Sequence, residues 1–479
     1  MTLVAGIDSS TQTCKVLIRD ARTGALVRHG RATHPAGTEI DPEDWFSAMR
    51  EAVEQAGGLD DVQAVSIAAQ QHGLICLDAE GAVIRPALLW NDTRSAQAAE
   101  QLILEAGNGD RAAGAHYWAQ ATGTVPVAAL TLSKLRWLAG HEPHHAQRVA
   151  AVCLPHDWLT WRLGGYGPGS GAAGLRALRT DRSDASGTGY YSPATGDYDH
   201  QVLERTLGHV PLLPEVAAPL EVVGRTPDGA LIGPGAGDNA GAALGVGAGP
   251  GDVVVSLGTS GTVFAVSETP VVDPSGLVAG FADATGHFLP LACTLNATRI
   301  FDSTAALLGI GLSEFNTLAA QAPVGAGGLG LVPYFDGERT PNLPQATGSL
   351  QGITRQNYTP ANLCRAAVEA VVCSLAEGLQ ALVHHGVAAR RIILVGGGAQ
   401  SAVVRQAVGQ ILGLPVLAPE PGEYVANGAA RQAAGVLLGG FPHWELDAQQ
   451  VPMAGTEPQV LQRYRQTVRS QWPGLVTPW

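Results

Sequence analysis

The chain has 479 residues, 46% of them hydrophobic, which is apolar material enough for a large core in more than one domain. Its net charge of −13, its pI near 5.5 and its lack of a basic stripe exclude a nucleic-acid binder, whose affinity rests on clustered cations. The 61 glycines and 30 prolines punctuate periodic segments without forming a repeat, which excludes a low-complexity chain.

The opening residues run from Met1 straight into a strand ending at Asp8, with no basic stretch ahead of it, so no secretory leader is expected. No uninterrupted apolar run reaches the ~18 residues of a membrane helix. The six cysteines (Cys14, Cys76, Cys153, Cys293, Cys364, Cys373) are scattered singly and read as reduced thiols of a cytoplasmic protein. Strands are predicted over 3–7, 15–19 and 26–32. A helix over 42–56 follows, with Asp41 as cap, Pro42 at its first position and Gly57 beyond it. A buried strand over 62–69 stops at Gln70-Gln71-His72-Gly73, another spans 74–77, and Asp92 is predicted to cap a helix over 93–106. Residues 164–174 are so rich in glycine that a mobile surface loop is expected. The small residues of Gly237 to Gly247 predict a helix that another backbone approaches closely. Gly249-Pro250-Gly251 then breaks the chain, dividing it into domains at 1–248 and 249–479. The second half repeats the plan, with strands near 252–267 and 287–295 and helices over 298–308 and 360–384. A strand over 391–395 runs into Gly396-Gly397-Gly398 and a helix over 400–412. This alternation predicts an α/β layered fold.

Two short Ser/Thr-Gly turns follow strands about half a chain apart. One holds Asp8, Ser9, Ser10, Thr11, Gln12, Thr13, Cys14 and Lys15; the other runs from Ser256 through Gly258, Thr259 and Ser260 to Thr262. Each sits between apolar runs and reads as the tight turn of a hairpin. Hydroxyls and free backbone N–H groups at such turns can cradle phosphate oxygens. Only the first carries its own acid. The chain has two lysines, Lys15 and Lys134, and Lys15 lies in that first turn, where a compact charge suits phosphate. The glycine turn before the helix over 400–412 would let a flat ligand or phosphate lie against backbone. It is not GxGxxG and lacks the acidic residue of a dinucleotide site.

Asp8, at the mouth of the first turn, reads as a metal-linked acid or as an Asx turn satisfying its own backbone. The hydroxyls and the lysine that follow favour the first. Asp238 opens the small-residue helix, where it reads as a cap, as a base that takes a hydroxyl proton, or as both. Gln71 and His72 close a buried strand at its carboxyl end, where α/β folds bind ligands. Their groups suit sugar hydroxyls, and equally suit a capped turn with a solvated histidine. Trp90 offers an aromatic face beside Asn91 and Asp92, or a core side chain beside a cap. Gly337 to Pro341 reads only as a turn with an ion pair.

Together these segments closely resemble the FGGY family of carbohydrate kinases, over essentially the whole chain. One family signature is legible at Thr131, Lys134, Leu135, Trp137 and Leu138, with departures at Ala129 and Gly140. A second matches throughout, from Gly348, Leu350, Gly352 and Ile353 to Asn362, Leu363 and Ala366-Ala367-Val368-Glu369. Further likenesses are Leu154-Pro155-His156-Asp157, Ser183 to Thr188 and Gly237-Asp238-Asn239-Ala240. The resemblance implies the actin-like ATPase fold, two ribonuclease-H-like domains with an active-site cleft between them. It implies ATP and Mg²⁺, with Asp8 acting on metal and phosphate and Thr11, Thr13, Lys15, Gly258 and Thr259 holding phosphates. Gly397, Gly398 and Ala399 would hold adenosine. Asp238 would be the base, and Gln71, His72, Asn239 and Trp90 would meet the sugar. The implied reaction is phosphorylation of the terminal hydroxyl of D-xylulose. Its rivals are a kinase for another ketose or polyol and an actin-like ATPase switch without sugar. A homodimer is the expected assembly. Departures from the family pattern are Ser9-Ser10, Gln71, Asn427 and the stretch 164–174.

Overall fold

The apolar run Leu3–Ser9 pairs antiparallel with Thr13–Asp20, Ser9 opposite Cys14, so the residues between them form the predicted hairpin turn. Every residue of Leu3–Ser9 is buried, as in a central strand covered on both faces. The structure is a computed structural model and describes residues 1–452 and 455–475. It divides into two compact units. One comprises Met1–Gly247, Glu268–Leu289 and Glu423–Glu445; the other comprises Ala248–Ser267, Pro290–Gly422 and Leu446–Trp479.

In the first unit Leu26–Thr33 extends the hairpin on one side. On the other side Val62–Ala69 lies parallel to Leu3–Ser9, and Leu231–Ile232 and Ala236–Gly237 each pair parallel with Val62–Ala69. Helix Pro42–Gln55 starts as expected: the Asp41 carboxylate accepts from the Glu43 N–H at 3.0 Å and Pro42 occupies the first turn. Its Trp45 and Met49 enter a core with Ile7, Ile18, Ile67 and Trp158. Large aromatic side chains such as these dominate core energetics.

The helix Tyr424–Leu438 returns to this unit from late in the chain. It lies so close on Leu3–Ser9 that a Cβ on Gly6 would stand 2.1 Å from the Ala426 carbonyl oxygen. It also packs against the small-residue helix Asp238–Gly245. A Cβ on Gly245 would fall 1.9 Å from the Tyr424 carbonyl oxygen, and one on Gly428 would fall 1.9 Å from that of Gly241. The close approach predicted from composition is therefore real, and it fixes the helix that begins with Asp238.

The second unit's sheet runs in the order Phe288–Thr294, Gly261–Ala265, Asp252–Leu257, Arg391–Val395, Val416–Pro419 and Ala448–Val451. Asp252–Leu257 is antiparallel to Gly261–Ala265 and parallel to Arg391–Val395. Both sheets thus place three antiparallel strands beside parallel ones in the same order, the ribonuclease-H-like plan. Helix Pro360–His384 has an 18-residue window of mean hydropathy 1.6, and 89% of that window is buried, so it serves as this unit's core helix. None of the six cysteines forms a disulfide; all but the half-buried Cys293 are buried.

Three local expectations need correction. The helix predicted over 93–106 begins only at Ala96, because Asp92 spends its carboxylate on the Arg94 backbone and guanidinium at 2.9 Å and Ser95 Oγ donates to the Ala128 carbonyl. The stretch 164–174 is not a loose loop. Gly169 N donates to the Glu80 carbonyl at 2.8 Å, Trp161 Nε1 donates to that of Gly174 at 2.8 Å, and Gly171–Leu175 is a short helix. The helix expected over 400–412 starts at Ala402, capped by Ser401, after a 3-10 turn over Gly397–Gln400.

Candidate active site

Parallel strands bring the first unit's acids to one edge. Asp8 stands opposite Ala68, and Ala68 stands opposite Ala236. The residues that follow these three positions are the hydroxyl turn, Gln70-Gln71-His72, and Asp238. Carboxyl ends of parallel strands are where α/β sheets receive ligands.

Asp8 is 2% exposed. Its carboxylate accepts from Ser10 Oγ at 2.7 Å and lies 3.4 Å from Lys15 Nζ, its cross-strand neighbour. Burial pushes the carboxyl up, and Lys15 and Ser10 pull it back only in part. Lys15 Nζ also pairs with Glu423 at 2.7 Å. Burial works against that ammonium, but Asp8 and Glu423 hold it above the usual lysine range. Thr13 is buried in its strand, and its carbonyl closes the turn by accepting from Ser10 N at 2.9 Å. Thr11 Oγ1 accepts from Trp90 Nε1 at 3.2 Å, which joins the phosphate turn to the aromatic side chain expected to meet the sugar. Trp90 is 40% exposed, so it is not a core residue.

Asp238 is the first residue of its helix, with Gly237 as the cap. Its Oδ1 accepts from the Asn239 backbone N at 2.7 Å and from Asn239 Nδ2 at 2.9 Å. Burial pushes the carboxyl up to about 7; the Asn239 hydrogen bonds oppose this, while the Asp8 charge adds to it. Such a group is poised to take a proton near neutral pH. Asn239 Nδ2 also reaches Gln71 Oε1 at 3.5 Å, and Gln71 Nε2 donates to the Ser183 carbonyl at 3.1 Å. His72 Nδ1 lies 2.7 Å from the Gly187 carbonyl, in a left-handed backbone conformation with φ of 70°. That conformation is costly for histidine and is held from outside. Lys134 Nζ donates to the His72 carbonyl at 2.6 Å and to that of Ala129 at 2.8 Å, and Thr131 Oγ1 donates to the His72 carbonyl at 3.3 Å. Lys134 is fully buried, and burial pushes its ammonium down to about 7.

Contacts within this unit link Asp8 to Lys15, Thr11 to Trp90, and Asp238 to Asn239 and Gln71, with His72 next in the chain. The sequence reading gave no role to Glu423 or Ser183 and no sign of the clasp made by Lys134. Lys134 was visible as a signature residue, but nothing local says that it grips a carbonyl 62 residues away. Asn427, a departure from the family pattern, donates Nδ2 to the Gly245 carbonyl at 2.8 Å and so ties down the end of the Asp238 helix.

In the second unit the strands Asp252–Leu257 and Arg391–Val395 end together, Ser256 opposite Val395. The hydroxyl turn with Gly258 and Thr259 and the glycine turn at Gly396 therefore share one edge. A Cβ on Gly396 would stand 2.5 Å from the Leu257 carbonyl oxygen, and Gly396 has φ of 93°, so only glycine serves there. Thr259 and Gly397 are exposed, whereas Gly398 and Ala399 are buried in the 3-10 turn.

Comparison with known proteins agrees with this geometry. Residues 3–256 match the model of the N-terminal domain of the FGGY family of carbohydrate kinases, and residues 253–436 match that of its C-terminal domain. The chain belongs to the FGGY family of carbohydrate kinases. A xylulose kinase of Streptomyces rubiginosus is 45% identical over 469 residues, covering 93% of this chain and 91% of the relative. One of Escherichia coli is 34% identical over 443 residues, covering 85% and 84% respectively. The crystal structure of xylulose kinase from Bifidobacterium adolescentis is similar at a TM-score of 0.91 and 47% identity, covering 98% of this chain and 99% of that one. This FGGY kinase accordingly has the actin-like ATPase fold.

Proposed function

We propose that this FGGY kinase transfers the γ-phosphoryl group of ATP to the terminal hydroxyl of D-xylulose, giving D-xylulose 5-phosphate. The relatives named xylulose kinase, which span nearly the whole chain, support the substrate. The single observation that carries the chemistry is Asp238, a carboxyl raised to about 7 beside Asp8, with Asn239 and Gln71 around it.

In this reading the sugar hydroxyl lies against Asp238. The O–H bond breaks as Asp238 takes the proton, the oxygen bonds the γ-phosphorus, and the bond to the β-phosphate oxygen breaks to release ADP. Phosphoryl transfer of this kind needs positioning and charge stabilisation more than covalent help. Asn239 fixes the carboxylate's orientation by two hydrogen bonds to one oxygen, leaving the other free for the hydroxyl. Gln71 and His72 bind the remaining sugar hydroxyls, and Trp90 offers its ring face. Thr11, Thr13 and Lys15 hold phosphate in the first unit; Gly258 and Thr259 do so in the second. Gly397, Gly398 and Ala399 hold the adenosine.

Asp8 suits a hard divalent cation: it is a buried carboxyl oxygen donor whose desolvation Lys15 and Ser10 offset only in part. Asp8 would hold Mg²⁺ there, and the ion would supply charge neutralisation for the phosphates. The five buried thiols and the absence of disulfides support a reducing compartment, the cytoplasm. Light scattering in solution tests the expected homodimer. The chemistry is tested with Asp238→Ala, which is expected to keep ATP binding and lose sugar phosphorylation. Normal turnover by that variant sinks the assignment of the base.

A further inference from the structure

One charged cluster of the first unit takes no part in the steps above. His156 is 0% exposed. Its Nδ1 lies 2.6 Å from Asp184 Oδ2, and its Nε2 lies 3.2 Å from the Pro234 carbonyl and 3.4 Å from Asp157 Oδ1. Both ring nitrogens face acceptors, which the imidazolium satisfies by donating twice. Burial opposes that charge, yet Asp157 and Asp184 more than offset it and raise the imidazole to about 10. At 2.6 Å the Nδ1–Oδ2 contact is a charge-assisted hydrogen bond, closer than the roughly 3 Å or more that separates two ligands of one metal ion. The cluster is an ion pair built into the core.

What this pair grips is the backing of the sugar pocket. Asp184 belongs to the single helical turn Arg182–Ala185, which Asp181 caps by accepting from Ser183 N at 2.8 Å and Asp184 N at 3.0 Å. From this turn the Ser183 carbonyl accepts from Gln71 Nε2 at 3.1 Å, and Ser183 Oγ accepts from Gly237 N at 3.0 Å. Just beyond it, the Gly187 carbonyl lies 2.7 Å from His72 Nδ1. On the other side, Pro234 precedes Gly235, whose N–H and carbonyl both bond the Gln432 amide at 2.9 Å. The chain then reaches Gly237 and Asp238. Gln71 and His72 from one stretch, and Asp238 through the Gly237 backbone from another, are thus referenced to one short segment.

We propose that His156 is a positioning residue of the transfer reaction, a buried clamp between Asp184 and the Pro234 carbonyl that sets the spacing of Gln71, His72 and Asp238. The inference rests on the sugar-kinase reading of those three groups. A misplacement of about 1 Å in such a constellation costs about 100-fold in rate. A neutral amide at position 156 leaves Asp184 without its counter-charge, whereas an ammonium keeps the charge and has donors for both acceptors.

The test compares wild type with His156→Gln, His156→Lys and Ser183→Ala, using whichever sugar wild type turns over fastest. Failure of D-xylulose as substrate for wild type therefore tells against the proposed function and leaves the clamp measurable. His156→Gln is expected to lose about 100-fold in kcat/KM for the sugar with KM for ATP within twofold of wild type. His156→Lys is expected to recover to within about tenfold of wild type. Ser183→Ala is expected to raise the sugar KM several-fold with KM for ATP within twofold of wild type. Equal impairment of His156→Lys and His156→Gln overturns the proposal, as does a Ser183→Ala variant with wild-type constants. If His156→Gln does not fold, the other two variants decide.

Discussion

Asn239→Ala isolates the tuning of the proposed base. The substitution removes the 2.9 Å hydrogen bond from Asn239 Nδ2 to Asp238 Oδ1 and leaves the 2.7 Å bond from the backbone N–H. Both bonds favour the ionised carboxylate, against burial that raises the group to about 7. A net hydrogen bond of about 1 kcal/mol corresponds to about 0.7 pH unit, upward, when it is lost. The sign follows from the role: a base whose pKa is raised works above that value and fails as pH falls through it. In wild type kcat is expected to fall below pH 7, to about one tenth of its plateau at pH 6. In Asn239→Ala the acid limb moves up by about 0.7 unit. The assay is coupled ADP release from pH 5 to 9 at saturating sugar, so that kcat reports the bound complex and not the loss of a sugar contact. An acid limb near the ordinary carboxylate range, or one that does not move in the variant, rules out Asp238 as a base tuned by Asn239.

Two steric variants probe the packing that holds the site. Gly245→Ala places a Cβ 1.9 Å from the Tyr424 carbonyl oxygen, so the two helices must part; overpacking of this kind costs about 1–3 kcal/mol, read as a lower denaturation midpoint, and an unchanged midpoint contradicts it. Gly187→Ala places a Cβ 2.7 Å from His72 Nδ1. It is expected to raise KM for the sugar while leaving KM for ATP unchanged, and a matched rise in both would place His72 away from the sugar.

The parts legible in the sequence were those with local signals. The runs of β-branched residues gave away both hairpins, and Asp41, Pro42 and Gly57 bracketed their helix to within a residue. Small residues announced the close approach at Gly245 and Gly428 because only glycine permits it. What escaped depends on partners remote in the chain. Asp92 looks like the cap of a helix over 93–106, but Ser95, just before the actual start, spends its hydroxyl on the remote Ala128 carbonyl. The glycines of 164–174 suggest freedom, yet Glu80 and Trp161 tie that stretch down from elsewhere. His156 and Lys134 carry charges whose acceptors lie 28 and 62 residues away, distances no periodicity encodes. The helix Leu312–Gln321 was missed altogether.

The identity of the sugar is decided by a substrate panel. Wild-type protein is assayed with ATP and Mg²⁺ against D-xylulose, other ketopentoses, ketohexoses and glycerol, and kcat/KM is compared. The highest kcat/KM is expected for D-xylulose, with the phosphate on its terminal hydroxyl. A higher value for another sugar or polyol, or ATP hydrolysis indifferent to every sugar, contradicts it.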